Sequence, residues 1–256
     1  MAYPECDLYC LDFVRKIIEN NTAGSLAAII VETMQGPAGN VIPPPEFLPG
    51  LLEIAHENGA LLIADEMITG FGRTGMMVGC NHTGLRPDII TIGKGMGNGF
   101  PISGLVSTEE ITASQPFSKP SASSSSYGGN PLASAAALVT IQTIVEESLV
   151  ENSRVVGEHL ISGLRTLQET YDFIGDVRGC GLLIGVELVK DRKTKESLDK
   201  AVTKQIFLET LKRGMVSMNY KPNFRINPPL TLTKEEADLG LQILDETFAF
   251  SAKKFL

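Results

Sequence analysis

Two apolar runs in this chain end on charge. ALLIADE at 60–66 closes on Asp65 and Glu66, and PDIITIG at 87–93 closes on Lys94, which GMGNG follows. A lysine in that setting is costly to bury unless it is paired or partly deprotonated. An amine whose pKa is lowered by burial is equipped to form an imine with a carbonyl; a surface lysine at a strand end fits the same spacing. Asp65 would be carried inward by its strand, where an anion needs a cationic partner, and a protonated pyridine ring is one. Glu66 reads as a second acid or as a hydrogen-bond acceptor for a neighbouring loop. A two-carboxylate metal or hydrolase site is the rival reading of this pair, but no DxD or HExxH accompanies it. Arg225, between Phe224 and Ile226, could clamp a carboxylate bidentately or pair with a local acid. The hydroxyls from Ser121 to Ser126 read as a polar loop or as an anion contact.

The glycines around Lys94 match neither common phosphate signature. A Walker loop needs Gly five residues before its Gly-Lys and Ser or Thr after it, whereas Asp88 and Gly95 hold those places. Glycines 93, 95, 97 and 99 alternate evenly, which is not the GxGxxG fingerprint.

The elements that must position these groups follow from periodicity. LDFVRKIIEN at 11–20 has the one-faced pattern of a helix, AAIIVE at 27–32 reads as a buried strand, and PEFLPGLLEIAHENG at 45–59 reads as a helix stopped by Gly59. Residues 60–66, 87–93 and 102–107 supply further strands. Near-continuous apolar strands between helices predict an open α/β sheet, mostly parallel and covered on both faces. In such sheets ligands gather at the strand ends, where Asp65 and Lys94 lie. Residues 113–129 form a loop without periodicity; a helix follows from Pro131, which suits a first helical turn, and helical character resumes over 152–169. VRGCGLLIGVELV predicts a Gly-broken strand or hairpin, residues 196–213 a helix, FRINPPL a loop or strand, and TKEE at 233–236 a capping box opening the last helix. The change of texture divides the chain into residues 1–154 and a smaller α+β part, 155–256.

Length and composition bound the rest. The 256 residues suffice for a substantial core, and a net charge of −8, with Lys+Arg 22 against Asp+Glu 30, argues against a nucleic-acid or anionic-membrane surface. Four scattered cysteines do not make a disulfide scaffold, and dispersed histidines give no zinc site. Without a secretory pattern or an apolar run of 18 residues, a reduced cytoplasmic enzyme is the expectation.

IADEMITGFGRTG, then DIITIGKGMGNGFPISG with its lysine 29 positions after Asp65, then SYGGNPLASAAAL and FRINPPLTLTKEE in that order, resemble the class III (subgroup II) pyridoxal-phosphate-dependent aminotransferases. That group includes the 4-aminobutyrate, ornithine, acetylornithine and ω-amino acid enzymes and the alanine–glyoxylate-like and phospholyase branches. The resemblance runs from about residue 3 to residue 250. It implies the type I pyridoxal-phosphate fold, with a partial large domain and a C-terminal small domain, and pyridoxal 5'-phosphate as cofactor. It implies that Lys94 carries the cofactor aldehyde and shuttles a proton, that Asp65 partners the pyridinium nitrogen, and that Met67 packs on a ring face. Ser126 matches a threonine that reaches the cofactor phosphate of the other subunit of a dimer. Arg225 matches the arginine that binds the substrate α-carboxylate, and Glu32 a glutamate that pairs with an active-site arginine; Arg73 reads as structural.

Two features depart from the family pattern. Ile68 occupies a place where many members carry a glutamine bonded to the cofactor 3′ oxygen, and it makes no such bond. Members also carry a further N-terminal stretch, so the chain reads as a fragment, a truncated product or half of a split enzyme, and the resemblance implies a homodimer or a partner chain completing the site. The implied activity is transfer of an amino group from an amine or ω-amino acid to a 2-oxo acid. Elimination of the amino-phospholyase type on the same cofactor, or a catalytically silent fragment or partner subunit, are the alternatives.

Overall fold

The computed structural model describes residues 3–116, 118–122, 124–220 and 222–255, with the backbone alone at 219 and 220. Phe117 and Ser123, which fall in the predicted loop, lie outside the described residues. The chain forms two compact units. One comprises Met1–Thr33, Pro43–Phe71 and Val78–Thr143; the other comprises Met34–Ile42, Gly72–Met77 and Ile144–Leu256.

The first unit contains α1 (Tyr9–Asn21), β1 (Ala28–Glu32), α2 (Phe47–Glu57), β2 (Leu61–Asp65), β3 (Ile89–Ile92), β4 (Gly104–Ser107), the short α3 (Glu109–Thr112) and most of α4 (Pro131–Glu146). Its sheet has the order β1-β2-β3-β4, parallel except for β4, which returns antiparallel beside β3. Helix α2 buries Leu48, Leu51, Ile54 and Ala55, the spacing of one helical face, and ends at Gly59, whose φ of 66° suits a residue without Cβ. Leu48, Leu51 and Ala55 pack with Leu62, and Ile29, Val31 and Ile90 join them. Strand alternation therefore sends Ile30, Glu32, Ile63 and Asp65 to the opposite face. That face differs from the expectation of a sheet covered on both sides: Ile30 is 64% exposed, and Leu105 of β4, opposite Thr91, faces water as well; Val106, opposite Ile90, is exposed on the other face of the edge strand. β1 is thus half-buried, not buried, because only its Ile29 and Val31 side has a helix to pack on.

The second unit contains α5 (Leu149–Thr170), β5 (Ile174–Cys180), β6 (Leu183–Asp191), the two-residue β7 (Glu196–Ser197), α6 (Lys200–Lys212), β8 (Met218–Tyr220), β9 (Asn223–Ile226) and α7 (Lys234–Lys254). Its antiparallel sheet runs β5-β6-β9-β8, with β7 beside β6. The predicted Gly-broken stretch is the β5–β6 hairpin. Residues 196–197 pair as β7 instead of opening the predicted helix, which begins at Lys200. Phe224, Arg225 and Ile226 of the predicted FRINPPL loop or strand lie in β9, and Asn227 onward leaves it. Helix α5 buries Leu149, Ser153, Val156, Leu160, Ile161, Leu164 and Leu167 along one stripe, so the chain crosses the sequence-predicted junction at 154/155 inside a continuous helix. At Gly157 a Cβ would come within 2.1 Å of Gly181 O, and only glycine allows that approach of helix to hairpin. Phe248 is fully buried in the same core, with ring centroids of Phe173 and Tyr171 at 5.5 and 5.8 Å. Burying one such ring contributes about 2–3 kcal/mol by transfer alone. Thr233 and Glu236 form the predicted capping box: Glu236 N donates to Thr233 Oγ1 at 3.2 Å and Thr233 N to Glu236 Oε2 at 2.9 Å.

Candidate active site

The parallel pairing of the first unit aligns Glu32 with Asp65 and Asp65 with Thr91. Partners in parallel strands point to one face, so Glu32, Asp65 and Thr91 form a row across the carboxyl ends of β1, β2 and β3. Lys94 lies just past that row, where β3 ends. This is where an open α/β sheet gathers ligands.

Asp65 is half-buried, and its Oδ1 accepts the Met67 N–H at 2.9 Å. The bond closes a tight turn at the strand end and holds the carboxylate over the row. Glu66 is fully buried on the other side of the strand. Its carboxylate accepts the backbone N–H groups of Gly79 and Cys80, each at 2.7 Å, and the hydroxyl of Thr69, which in turn lies 3.0 Å from Thr33 Oγ1. Of the two readings of Glu66, the loop acceptor is the one observed. Its own N–H donates to Thr91 O at 3.0 Å, tying β2 to β3 beside Asp65. Burial, with the Glu66 carboxylate nearby, pushes the Cys80 thiol up to about 12, so it stays protonated.

Lys94 opens a short 3₁₀ turn with φ 44°, and its side chain is exposed. Of the two readings of Lys94, buried amine or surface lysine at a strand end, the exposed one is observed: the lysine stands on a turn beyond the end of β3. Met67 is brought to its neighbour, since a methyl at Gly93 would lie 2.7 Å from Met67 Sδ. Ile68 is half-buried and offers only hydrocarbon.

Ser126 sits in an exposed turn before α4, in which Gly128 N donates to Ser125 Oγ at 3.1 Å and Ala133 N to Asn130 Oδ1 at 3.0 Å. No hydrogen bond among the described residues joins Ser126 to Asp65 or Lys94. Arg225 belongs to the second unit, on β9, and is buried, 7% exposed. Arg73 also belongs there; it donates to Pro228 O and, at 3.4 Å, to Leu182 O, and burial pulls its guanidinium below its ordinary value. Its part in the described structure is to hold carbonyls.

The sequence reading passed over Thr33, Thr69 and Asn40. Asn40 is fully buried and donates to Ile184 O and to Asn227 Oδ1, each at 2.8 Å. The available signal was QGPAGN at 35–40, a glycine-rich turn ending on an asparagine, a type that tolerates left-handed backbone.

A family model for class-III aminotransferases matches residues 4–248. The chain is 40% identical over 247 residues to the leucine/methionine racemase of Thermococcus litoralis, covering 95% of this chain and 55% of that protein. It is 39% identical over 217 residues to the putrescine aminotransferase of Pectobacterium atrosepticum, covering 84% and 45% respectively. It thus spans about half the length of the curated relatives it matches. Among solved structures it superposes on an amine transaminase from an uncultivated Pseudomonas species in its PLP-bound form, with TM-score 0.88 and 36% identity over 95% of this chain and 56% of that one. An S-selective transaminase from Arthrobacter sp. gives TM-score 0.90 and 32% identity over 100% and 58%. The mixed, mostly parallel α/β architecture is that of the type I pyridoxal-phosphate enzymes, and the chain belongs to the class-III aminotransferase family.

Proposed function

We propose that this chain transfers an amino group from an amine or ω-amino acid to a 2-oxo acid with pyridoxal 5'-phosphate as cofactor. The observation that carries the reading is the row Glu32–Asp65–Thr91 at the parallel strand ends, with Lys94 immediately beyond it. The residues fit the cofactor. Asp65 commits one carboxylate oxygen to Met67 N–H and keeps Oδ2 for a ring N–H. The exposed Lys94 amine is accessible to an aldehyde, and Met67 and Ile68 present hydrocarbon and thioether suited to a ring face. When bound, the cofactor supplies an aldehyde for the amine and a protonated ring that draws electrons from the substrate carbon losing its proton.

Lys94 Nζ would hold the cofactor aldehyde, and its freed amine is the base that would take the proton from the substrate carbon and deliver it to the cofactor side, so that the oxo product can leave. Asp65 keeps the ring nitrogen protonated throughout. Arg225 orients the substrate carboxylate, and Glu32 pairs with an arginine when an amine lacking that carboxylate occupies the site. Ser126 reaches the cofactor phosphate of a partner subunit. We place the site in a homodimer or with a partner chain. The apolar side chains of Ile30, Leu105 and Val106 in water, together with Leu132, Leu138 and Val139 of α4, support an additional polypeptide layer on the first unit. Free cysteines at 6, 10, 80 and 180 fit a reducing compartment, the cytoplasm. Among the described residues no single helix is long and apolar enough to cross a membrane.

The test follows the amine-to-oxo conversion of the cofactor-loaded protein. Lys94→Ala is expected to reduce it about a thousandfold or more, because the proton shuttle is removed along with the attachment point. Unchanged turnover in a folded Lys94→Ala protein would refute the reading. The racemase among the relatives favours a second outcome at the same site: inversion of an amino acid without net transfer. A single enantiomer incubated without a 2-oxo acid separates the two, since racemisation consumes optical rotation and produces no oxo product.

A further inference from the structure

Both segments that join the second unit from earlier in the chain, Met34–Ile42 and Gly72–Met77, fasten to the strand of Arg225 or the residues just after it. Alternation along β9 places Asn223 and Arg225 on one face, and Asn227 is the first residue past the strand. Asn223 Nδ2 donates to Ala38 O at 2.8 Å, and Asn40 Nδ2 donates to Asn227 Oδ1 at 2.8 Å. The residues two before and two after Arg225 are therefore both held by one turn, Gly36–Asn40. Arg73 holds the next carbonyl, that of Pro228.

The turn is seated across the sheet as well. Register aligns Arg178 of β5 with Gly185 of β6, and Gly185 with Arg225 of β9. Arg178 Nε donates to Gly39 O at 3.1 Å, and a methyl at Gly185 would lie 2.3 Å from that same oxygen. Gly185 is the gap that lets the turn sit between two arginines of one row. Asn40 locks it there. Fully buried, with φ 52°, it donates both side-chain protons, to Ile184 O and to Asn227 Oδ1.

We propose that the turn Gly36–Asn40 is the positioning element for Arg225, with Asn40 as its anchoring residue, and that it sets the affinity of the site for the substrate carboxylate. The proposal rests on the reading of Arg225 as the carboxylate-binding residue. A guanidinium recognises a carboxylate through a rigid fork of N–H donors, so its hold depends on the direction in which the fork is presented. Anchoring the residues two before and two after Arg225 fixes that direction. Asn40→Asp keeps the size and the tolerance for left-handed backbone, but it sets an acceptor against Ile184 O and Asn227 Oδ1 and releases the turn.

The experiment is calorimetric titration of pyruvate into the full-length, cofactor-loaded chain, with melting followed in parallel. The variants are Asn40→Asp, Gly185→Ala, Arg225→Ala and the control Ile206→Val, which trims the core of the same unit. The expected result is loss of pyruvate binding in Arg225→Ala, weakening by about 10- to 100-fold in Asn40→Asp and Gly185→Ala, and unchanged affinity in Ile206→Val even where its melting falls. Wild-type affinity in Asn40→Asp and Gly185→Ala would overturn the positioning role and leave the Arg225 reading standing. So would losses in those variants matched by Ile206→Val, which would mark a general effect of stability. Absence of binding in the wild type, or undiminished binding in Arg225→Ala, would overturn the Arg225 reading and this proposal with it. Should Asn40→Asp fail to fold, Gly185→Ala decides.

Discussion

The sheet of the first unit carries Glu32 and Asp65 in one row, with Lys94 just past it, yet leaves Ile30, Leu105 and Val106 in water; that of the second carries one candidate group, Arg225, and encloses Ile174, Leu182, Leu183, Ile184, Phe224 and Phe248 almost completely. The contrast separates two tasks. The second unit builds its own core from helices α5 and α7 against an antiparallel sheet, and it draws two earlier pieces of chain into itself. In the first unit α2 covers one face, while the face that bears Glu32 and Asp65 leaves Ile30 and Leu105 in water. Stability and chemistry are therefore unevenly distributed, and substitutions in the two sheets should read out differently.

The largest stability effect is expected in the enclosed core. Phe248→Ala should cost about 3–5 kcal/mol in denaturant unfolding, because it removes a fully buried ring and leaves a cavity among Phe173, Tyr171 and their neighbours. A loss below about 1 kcal/mol would mean that the second unit is packed less tightly than described. Next is Asp65→Asn. The amide oxygen can still accept the Met67 N–H, so melting should change little, while the conversion of amine to oxo product slows on the order of a hundredfold as the charge facing the ring nitrogen is lost. An equal fall in melting and activity would make Asp65 a structural acid. The smallest effect belongs to the exposed face: Ile30→Thr should shift the stability of the isolated chain by less than about 0.5 kcal/mol. It should matter only in an assembled state, where sedimentation or scattering would show weaker association.

Much of the first sheet was legible because its strands are short apolar runs closed by Gly, Pro or charge, and Asp65 and Lys94 were legible as candidates because they end such runs. Exposure was not. Whether Lys94 is buried depends on what stands over the face beyond β3, and no local pattern encodes that. The antiparallel sense of β4 is likewise a property of its connection, not of GLVS. The capping box at Thr233 was legible because both partners lie within four residues. The seat of the turn Gly36–Asn40 was invisible for the opposite reason: Asn40 meets a carbonyl 144 positions away, and Ala38 an amide 185 positions away. QGPAGN announces only that the chain turns.

Pyridoxal 5'-phosphate mixed with the purified chain, fixed by borohydride reduction and located by peptide mass mapping, tests the central claim most directly. The account predicts a single modified position, Lys94, saturating at one label per chain and absent from Lys94→Ala. Label scattered over other exposed lysines, with Lys94 no more modified than the rest, would contradict it.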